Sequence, residues 1–271
     1  MTTLSNRRYG IEIEAFGATM SAIEAALTTA GINVRAVGYG HSTTPYWKIV
    51  SDCSISGLNP FELVSPILQG DEGLRQIEVA CKVLSDLGAK VNRSTGLHVH
   101  VDGFDFSRSL PKTKNLAKLW MKYETCFDQI VPVSRRNSNN ACLQSNLALH
   151  GTVEAAFRAI DRAQSLSALM VVTNLAATDS GRYRKLNLCS LYRHGTVEFR
   201  HHGGTIDADK IVNWVKFVTD FADEAARMTR VSIKGASEWK WFVGNAKDAA
   251  VRKYLKARRD HFVAVATTPE V

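Results

Sequence analysis

Several short stretches of the chain alternate apolar and polar residues with a period of two, and their polar members are unusual ones. In GIEIEAFG (residues 10–17), Ile11 and Ile13 alternate with Glu12 and Glu14. Successive side chains of a strand point to opposite faces, so the two glutamates share one face about 7 Å apart. Glu62 stands between Phe61 and Leu63 in FELV (61–64). His98 and His100 oppose Leu97, Val99 and Val101 in GLHVHVDG (96–103), and Glu198 and Arg200 oppose Val197 and Phe199 in TVEFRHH (196–202). Strands are predicted over 8–15, 33–37, 47–52, 61–64, 97–101, 186–191 and 196–201. A hairpin is expected through Ser56-Gly57 and Asn59-Pro60, between the third and fourth.

Helical spacing fills the intervals. Residues 21–30 are alanine-rich and stop at Gly31; residues 73–87 align Leu74, Ile77, Cys81 and Leu84 and stop at Gly88. The texture changes over 110–178. A helix opens at Pro111 and presents Leu116, Leu119, Trp120 and Tyr123, residues 137–140 read as a polar loop, and short helices follow over 153–161 and 165–174. A long helix over 207–228 carries Ile211, Trp214, Phe217, Val218 and Phe221, one or two more lie within 238–265, and residues 267–271 are expected to fray. With no repeat and no low-complexity linker, the pattern predicts one α+β domain over 1–271 with a mainly helical insertion at about 110–178. Short turns between strands favour antiparallel or mixed pairing over a doubly wound parallel sheet.

Composition adds limits. The chain has 271 residues, 45% hydrophobic and 22% charged, the profile of an ordinary globular protein. It lacks a run of about 18 apolar residues, and its first ten residues lack an apolar signal core, so a cytoplasmic protein without a membrane partner is expected. The five cysteines are odd in number and have no CxxC, which argues against a disulfide framework or a zinc knuckle and predicts reduced, mostly buried thiols. Net charge is +8. The basic residues gather over 108–122 and 247–259, which read first as solvated helix faces; an anionic small molecule is the favoured partner and nucleic acid the less favoured one.

The polar strand face is the informative feature. Solvent-facing strands ordinarily carry Thr, Ser, Lys or mixed charges, whereas these collect Glu12, Glu14, Glu62, His98, His100, Glu198 and Arg200, with Asp52 at the end of a strand. Each pair alone has an ordinary reading: a solvent-facing ExE, an incidental HxH, an ion-paired ExR. Together on separate strands they point to a divalent metal, and the oxygen-rich set suits magnesium or manganese better than zinc. No GxxxxGK[ST] or GxGxxG loop is present, so phosphate binding would rest on metals and arginines.

GIEIE, FELVSPIL-G, GLHVHV, the segment Arg182-Tyr183…Leu186-Asn187-Leu188 and TVEFRHHGGT occur in the order of the signature blocks of the amidoligase family, and SRRNSNNAC (134–142) is similar to an Arg- and Asn-rich segment of it. The chain therefore resembles, over about residues 8–206, carboxylate-amine ligases with the glutamine synthetase/γ-glutamylcysteine ligase fold. The resemblance implies a curved, mostly antiparallel sheet with helices packed on one face and a polar catalytic face on the other. It implies ATP and Mg2+ (or Mn2+) as cofactors, an acyl-phosphate intermediate, and small-molecule or peptide carboxylate and amine substrates. By the same resemblance Glu12, Glu198 and Arg200 are catalytic. Glu12 joins His98 or His100 and Glu198 at one metal, with His98 first because it follows the Gly96-Leu97 turn; Glu14 and Glu62, with Asp52, hold another. Arg200 contacts the transferred phosphoryl group, Arg182 with Arg135 or Arg136 holds ATP phosphates or a substrate carboxylate, and Asn187 orients substrate. His201 and His202 are lesser candidates. Two other classes compete: a metal-dependent hydrolase built on the HxH pair, and a non-catalytic basic protein that binds nucleic acid.

Overall fold

The structure is a computed structural model that describes residues 5–267 apart from 39, 41, 138–139, 141 and 177–178. Its strands are β1 (Tyr9–Ala15), β2 (Val34–Ala36), β3 (Trp47–Val50), β4 (Phe61–Val64), β5 (Gly96–Asp102), β6 (Leu186–Asn187) and β7 (Thr196–Gly203). They pair in the order β2-β3-β4-β1-β5-β7-β6. β1 with β4, β3 with β4 and β6 with β7 are antiparallel, and β2 with β3 is parallel. The fold is α+β with an open, mostly antiparallel sheet. By its contacts the chain divides into two compact units whose boundaries fall inside β5 and β7. The first holds the described residues up to His100 with His202–Lys216, and the second holds Val101–His201 with the described residues from Phe217.

In the first unit, alternation sorts the strands into two faces. Ile11, Ile13, Phe61, Leu63, Trp47 and Ile49 are buried on one of them. Two amphipathic helices supply the matching apolar stripes: Ile23 and Leu27 from α1 (Met20–Thr29), and Leu74, Ile77, Cys81 and Leu84 from α2 (Gly70–Asp86). The Thr19 hydroxyl caps α1 by accepting from Ala22 N at 3.3 Å, and Trp47 Nε1 donates to Gln76 Oε1 of α2 at 3.0 Å. α2 starts three residues before the predicted position: Gly70, at φ +59°, turns the chain into it, and Asp71 and Glu72 favour its amino-terminal dipole.

The second unit is mainly helical. Its elements include α3 (Phe104–Ser107), α4 (Leu110–Asp128), α5 (Val153–Arg162), α6 (Leu166–Asn174) and α7 (Ser190–His194). α8 (Ala208–Arg227) enters it from the first unit, and α9 (Trp239–Val243) and α10 (Ala249–Thr267) complete it. α4 begins with Pro111 in its first turn and Ser109 as its cap, as the sequence predicts. Its Trp120 and Phe127 anchor an aromatic core in which Phe127 meets Phe242, Phe221 and Phe217 at 4.7, 5.3 and 5.5 Å between centroids.

One local expectation is corrected. The strand predicted over 186–191 ends at Asn187, because its Oδ1 accepts from Cys189 N at 3.0 Å and turns the chain into α7. The one-turn helix α3 carries no apolar periodicity long enough to read. Of the polar loop at 137–140, residues 138–139 lie outside the described residues, as do 268–271 of the tail expected to fray. Three cysteines, Cys81, Cys126 and Cys189, are buried, and Cys53 and Cys142 are exposed. Among the described residues no helix is long and apolar enough to cross a membrane.

Candidate functional site

The register of β1 and β4 places Glu14 directly opposite Glu62, and Glu12 opposite Val64. Like charges directly opposite each other destabilise a sheet. β5 brings a third polar group, His98, whose Nδ1 lies 2.9 Å from Glu12 Oε2 and whose Nε2 lies 3.5 Å from Glu14 Oε1. His100 Nε2 lies 3.3 Å from Glu12 Oε1. Ligand-type atoms of Glu14, Glu62 and His98 all fall within 4.8 Å of one another. The second oxygen of Glu14 accepts from Gly96 N at 2.5 Å, which orients the carboxylate through the backbone of β5.

The electrostatics record the crowding. Burial, then the charges of Glu12, Glu14 and Asp52, push the Glu62 carboxyl well above its ordinary range. Burial would also raise Glu12, but His100 and His98 hold it well below that range. Glu62 thus sits where negative charge is in excess. Two hard carboxylates and one imidazole in reach of one point form a donor set that fits magnesium or manganese. Asp52 lies two residues past β3, where its Oδ1 accepts from Ser54 N at 2.8 Å; it adds charge near Glu62 but does not belong to the three-residue group.

In the second unit, β6 and β7 pair Asn187 with Glu198. Asn187 Nδ2 donates to Glu198 Oε2 at 2.6 Å and Arg200 Nη1 donates to Glu198 Oε1 at 2.5 Å, so both carboxylate oxygens are engaged. The backbone of Arg200 is held from both sides: its N–H donates to Lys185 O at 2.9 Å and its carbonyl accepts from Arg135 Nη2 at 2.6 Å. Beneath lies a buried ionic group. Lys185 Nζ lies 2.6 Å from Asp128 Oδ1 and 3.4 Å from Glu124 Oε1, and His201 Nε2 lies 2.8 Å from Asp128 Oδ1 and 3.0 Å from the Arg135 carbonyl. Burial and then the Lys185 charge lower His201 to about 4. Burial would raise Asp128, but His201 and Lys185 together hold it at about 2.

The strand-borne candidates are therefore disposed as follows. Glu12, Glu14, Glu62, His98 and His100 meet on one face of the first unit, while Glu198, Arg200 and Asn187 meet in the second. Arg135 is buried and reaches the Arg200 carbonyl. Arg136 donates through Nε to Val131 O and lies over Phe262, and Arg182 donates to the Tyr183 hydroxyl at 2.9 Å. His202 is buried, with Nδ1 2.7 Å from Gly203 O. The residues that sequence reading passed over are Glu124, Asp128 and Lys185. Lys185 had a signal: in KLNL it alternates with Leu186 and Leu188 on the face of Asn187.

The family model described as "Putative amidoligase enzyme" matches residues 5–222. Among solved structures, the chain is similar to one described as "Crystal structure of novel glutamine synthase homolog", with 13% identity and a TM-score of 0.46, covering 99% of this chain and 68% of that one. No curated protein matches the chain.

Proposed function

The chain belongs to the amidoligase family and is a ligase-type enzyme; from that premise we propose that it is an ATP- and magnesium-dependent carboxylate-amine ligase. The observation that carries the reading is the crowding of Glu14, Glu62 and His98 on the polar face of the first unit, with Glu12 against His98. A sheet that sets two glutamates directly opposite each other and raises one of them needs a cation to relieve the repulsion. Glu14, Glu62 and His98 would hold that cation, with Glu12 beside them; when bound, magnesium supplies positive charge for phosphoryl oxygens.

The proposed reaction has two steps. A carboxylate oxygen of the first substrate takes the γ-phosphoryl group of ATP, the bond to the β-phosphate bridge breaks, and ADP and an acyl phosphate result. The amine of the second substrate then attacks the acyl carbon, inorganic phosphate departs with the C–O bond electrons, and the nitrogen loses a proton to give the amide. Arg200 is assigned to the transferred phosphoryl group, where a planar fork suits bidentate contact. Glu198 and Asn187 fix how that guanidinium is presented.

The test is the release of ADP and phosphate across a panel of carboxylates and amines. Turnover that needs both substrates, or runs slowly with the carboxylate alone, is expected. Glu12→Gln and Arg200→Ala should each abolish it while the thermal melt persists. ATP-independent hydrolysis, or full activity in both variants, would reject the reading.

A further inference from the structure

Two strands at one edge of the first unit run parallel as neighbours: β2 pairs Val34 with Trp47 of β3, and Ala36 with Ile49. A hairpin cannot join parallel neighbours, so the connection from Ala36 to Trp47 must leave the sheet and pass over one of its faces. Lys48 records which face. Trp47 and Ile49 are buried on the side that carries α1 and α2, so Lys48, between them, projects from the opposite side. The register extends this row across the sheet, with Lys48 opposite Val64 and Val64 opposite Glu12. Lys48 therefore lies on the acid-and-histidine face, two strand spacings or about 10 Å from Glu12.

Lys48 is only 4% exposed. Its ammonium donates to Ser42 O at 2.7 Å and to Gly40 O at 3.2 Å, and among the described residues no carboxylate pairs with it. Burying an ammonium is costly, and a methionine would fill similar space without that cost. What the charge adds is a pair of charge-assisted bonds to the connecting chain. They hold the backbone of Gly40 and Ser42 down on the sheet, on the face that carries Glu12, Glu14 and Glu62. Nearer to β3, Thr44 Oγ1 donates to Tyr46 O at 2.6 Å and the Arg35 guanidinium lies 4.4 Å from the Tyr46 ring, which secures the return of the chain. Across this row the half-buried Val64 forms a floor, Glu12 stands on one side of it, and the connection held by Lys48 stands on the other. The Gly40 and Ser42 carbonyls are turned to Lys48 and the floor is apolar, so the space between suits a neutral, aliphatic group.

We infer that Lys48 is a positioning residue for the carboxylate substrate. It holds the β2–β3 connection as a wall, and the non-reacting, aliphatic part of the substrate rests between that wall and Glu12, over Val64. The reacting carboxylate then lies toward Glu14, Glu62 and His98. The inference rests on the ligase reading and adds to it the element that selects a carboxylate by the size of its neutral part.

The experiment takes a carboxylate and an amine with which the full chain releases ADP, and measures KM for the carboxylate, the amine and MgATP separately. Lys48→Met should raise the carboxylate KM about tenfold, the scale of a lost charge-assisted hydrogen bond, and leave kcat and the other two KM values within about twofold. A variant that is merely less stable would lose active enzyme, and so kcat, with all three KM values alike. Val64→Ala, which keeps Lys48, should shift the ratio of kcat/KM between a short and a branched aliphatic carboxylate about tenfold toward the larger one. Lys82→Met, at an exposed position of α2, should change none of these values. An unchanged carboxylate KM in Lys48→Met would overturn the inference and leave the ligase reading standing on the parent's turnover. Should that variant fail to fold, an unchanged carboxylate preference in Val64→Ala would overturn it in the same way. A parent chain that releases no ADP with any pair would overturn both.

Discussion

At the scale of single residues, the buried ionic group of the second unit makes the sharpest demands. Lys185 is fully buried and faces both Asp128 and Glu124. Replacing one partner of such a group leaves uncompensated charge in a poorly solvated place, so Lys185→Met should cost about 3–5 kcal/mol by urea unfolding. His201 gives a pH signature. Its Nδ1 is buried without a hydrogen-bond partner among the described residues while Nε2 faces Asp128, an arrangement suited to a neutral ring with its proton on Nε2. Because its value is lowered to about 4 in the folded protein, the unfolded chain binds the extra proton first as pH falls from the ordinary histidine range. Stability should therefore fall by about 2 kcal/mol between roughly pH 7 and pH 5. Asp128, lowered to about 2, adds its own loss only at more acid pH, below the ordinary carboxylate range. His201→Gln, which keeps a donor near Asp128 but cannot titrate, should flatten the slope between pH 7 and pH 5; an unchanged slope would assign it to other groups.

At the scale of elements, strand alternation was legible and the turns around it less so. β1, β4 and β5 fall within a residue or so of the predicted spans because each puts β-branched or aromatic residues on a face that helices cover. The acid-and-histidine face of the first unit was legible for the same reason, since period two fixes which side chains share a face. Neither the network of Glu124, Asp128 and Lys185 nor the pairing of Asn187 with Glu198 could be read, because the first joins Lys185 to Asp128, 57 positions away, and the second depends on strand register. Close backbone approach was equally hidden. After β7, Gly204 donates to Thr95 O at 3.0 Å, and a Cβ there would meet Thr95 Oγ1 at 1.9 Å. Thr95 cannot easily swing away, because its hydroxyl bonds to the backbone of Asn92 on both sides, at 2.7 and 3.1 Å. Gly204→Ala should therefore destabilise by about 1–3 kcal/mol, an overpacking cost that a thermal melt will register.

At the scale of the whole molecule, stability and metal occupancy are linked. A ligand that binds the folded chain and not the unfolded one stabilises it by about 2.7 kcal/mol at one hundred times its dissociation constant. The apo protein carries Glu14 opposite Glu62 with charge in excess, so manganese or magnesium should raise the melting temperature and chelation should reverse the rise. Glu62→Gln separates this effect from a general response to salt. A glutamine keeps the shape of that side chain and removes a negative charge that burial and Glu12, Glu14 and Asp52 disfavour there. The variant should accordingly be at least as stable as the parent without metal, because no buried charge is stranded. It should nevertheless lose most of the metal-dependent gain, because one of two hard oxygen ligands is gone. A sodium control at matched ionic strength should leave both proteins where they were. If Glu62→Gln keeps the full rise with manganese, the cation is held elsewhere and the crowding of β1 and β4 has another origin. If it loses the rise while its apo melt is no lower than the parent's, the repulsion built into that register exists to be neutralised by a metal.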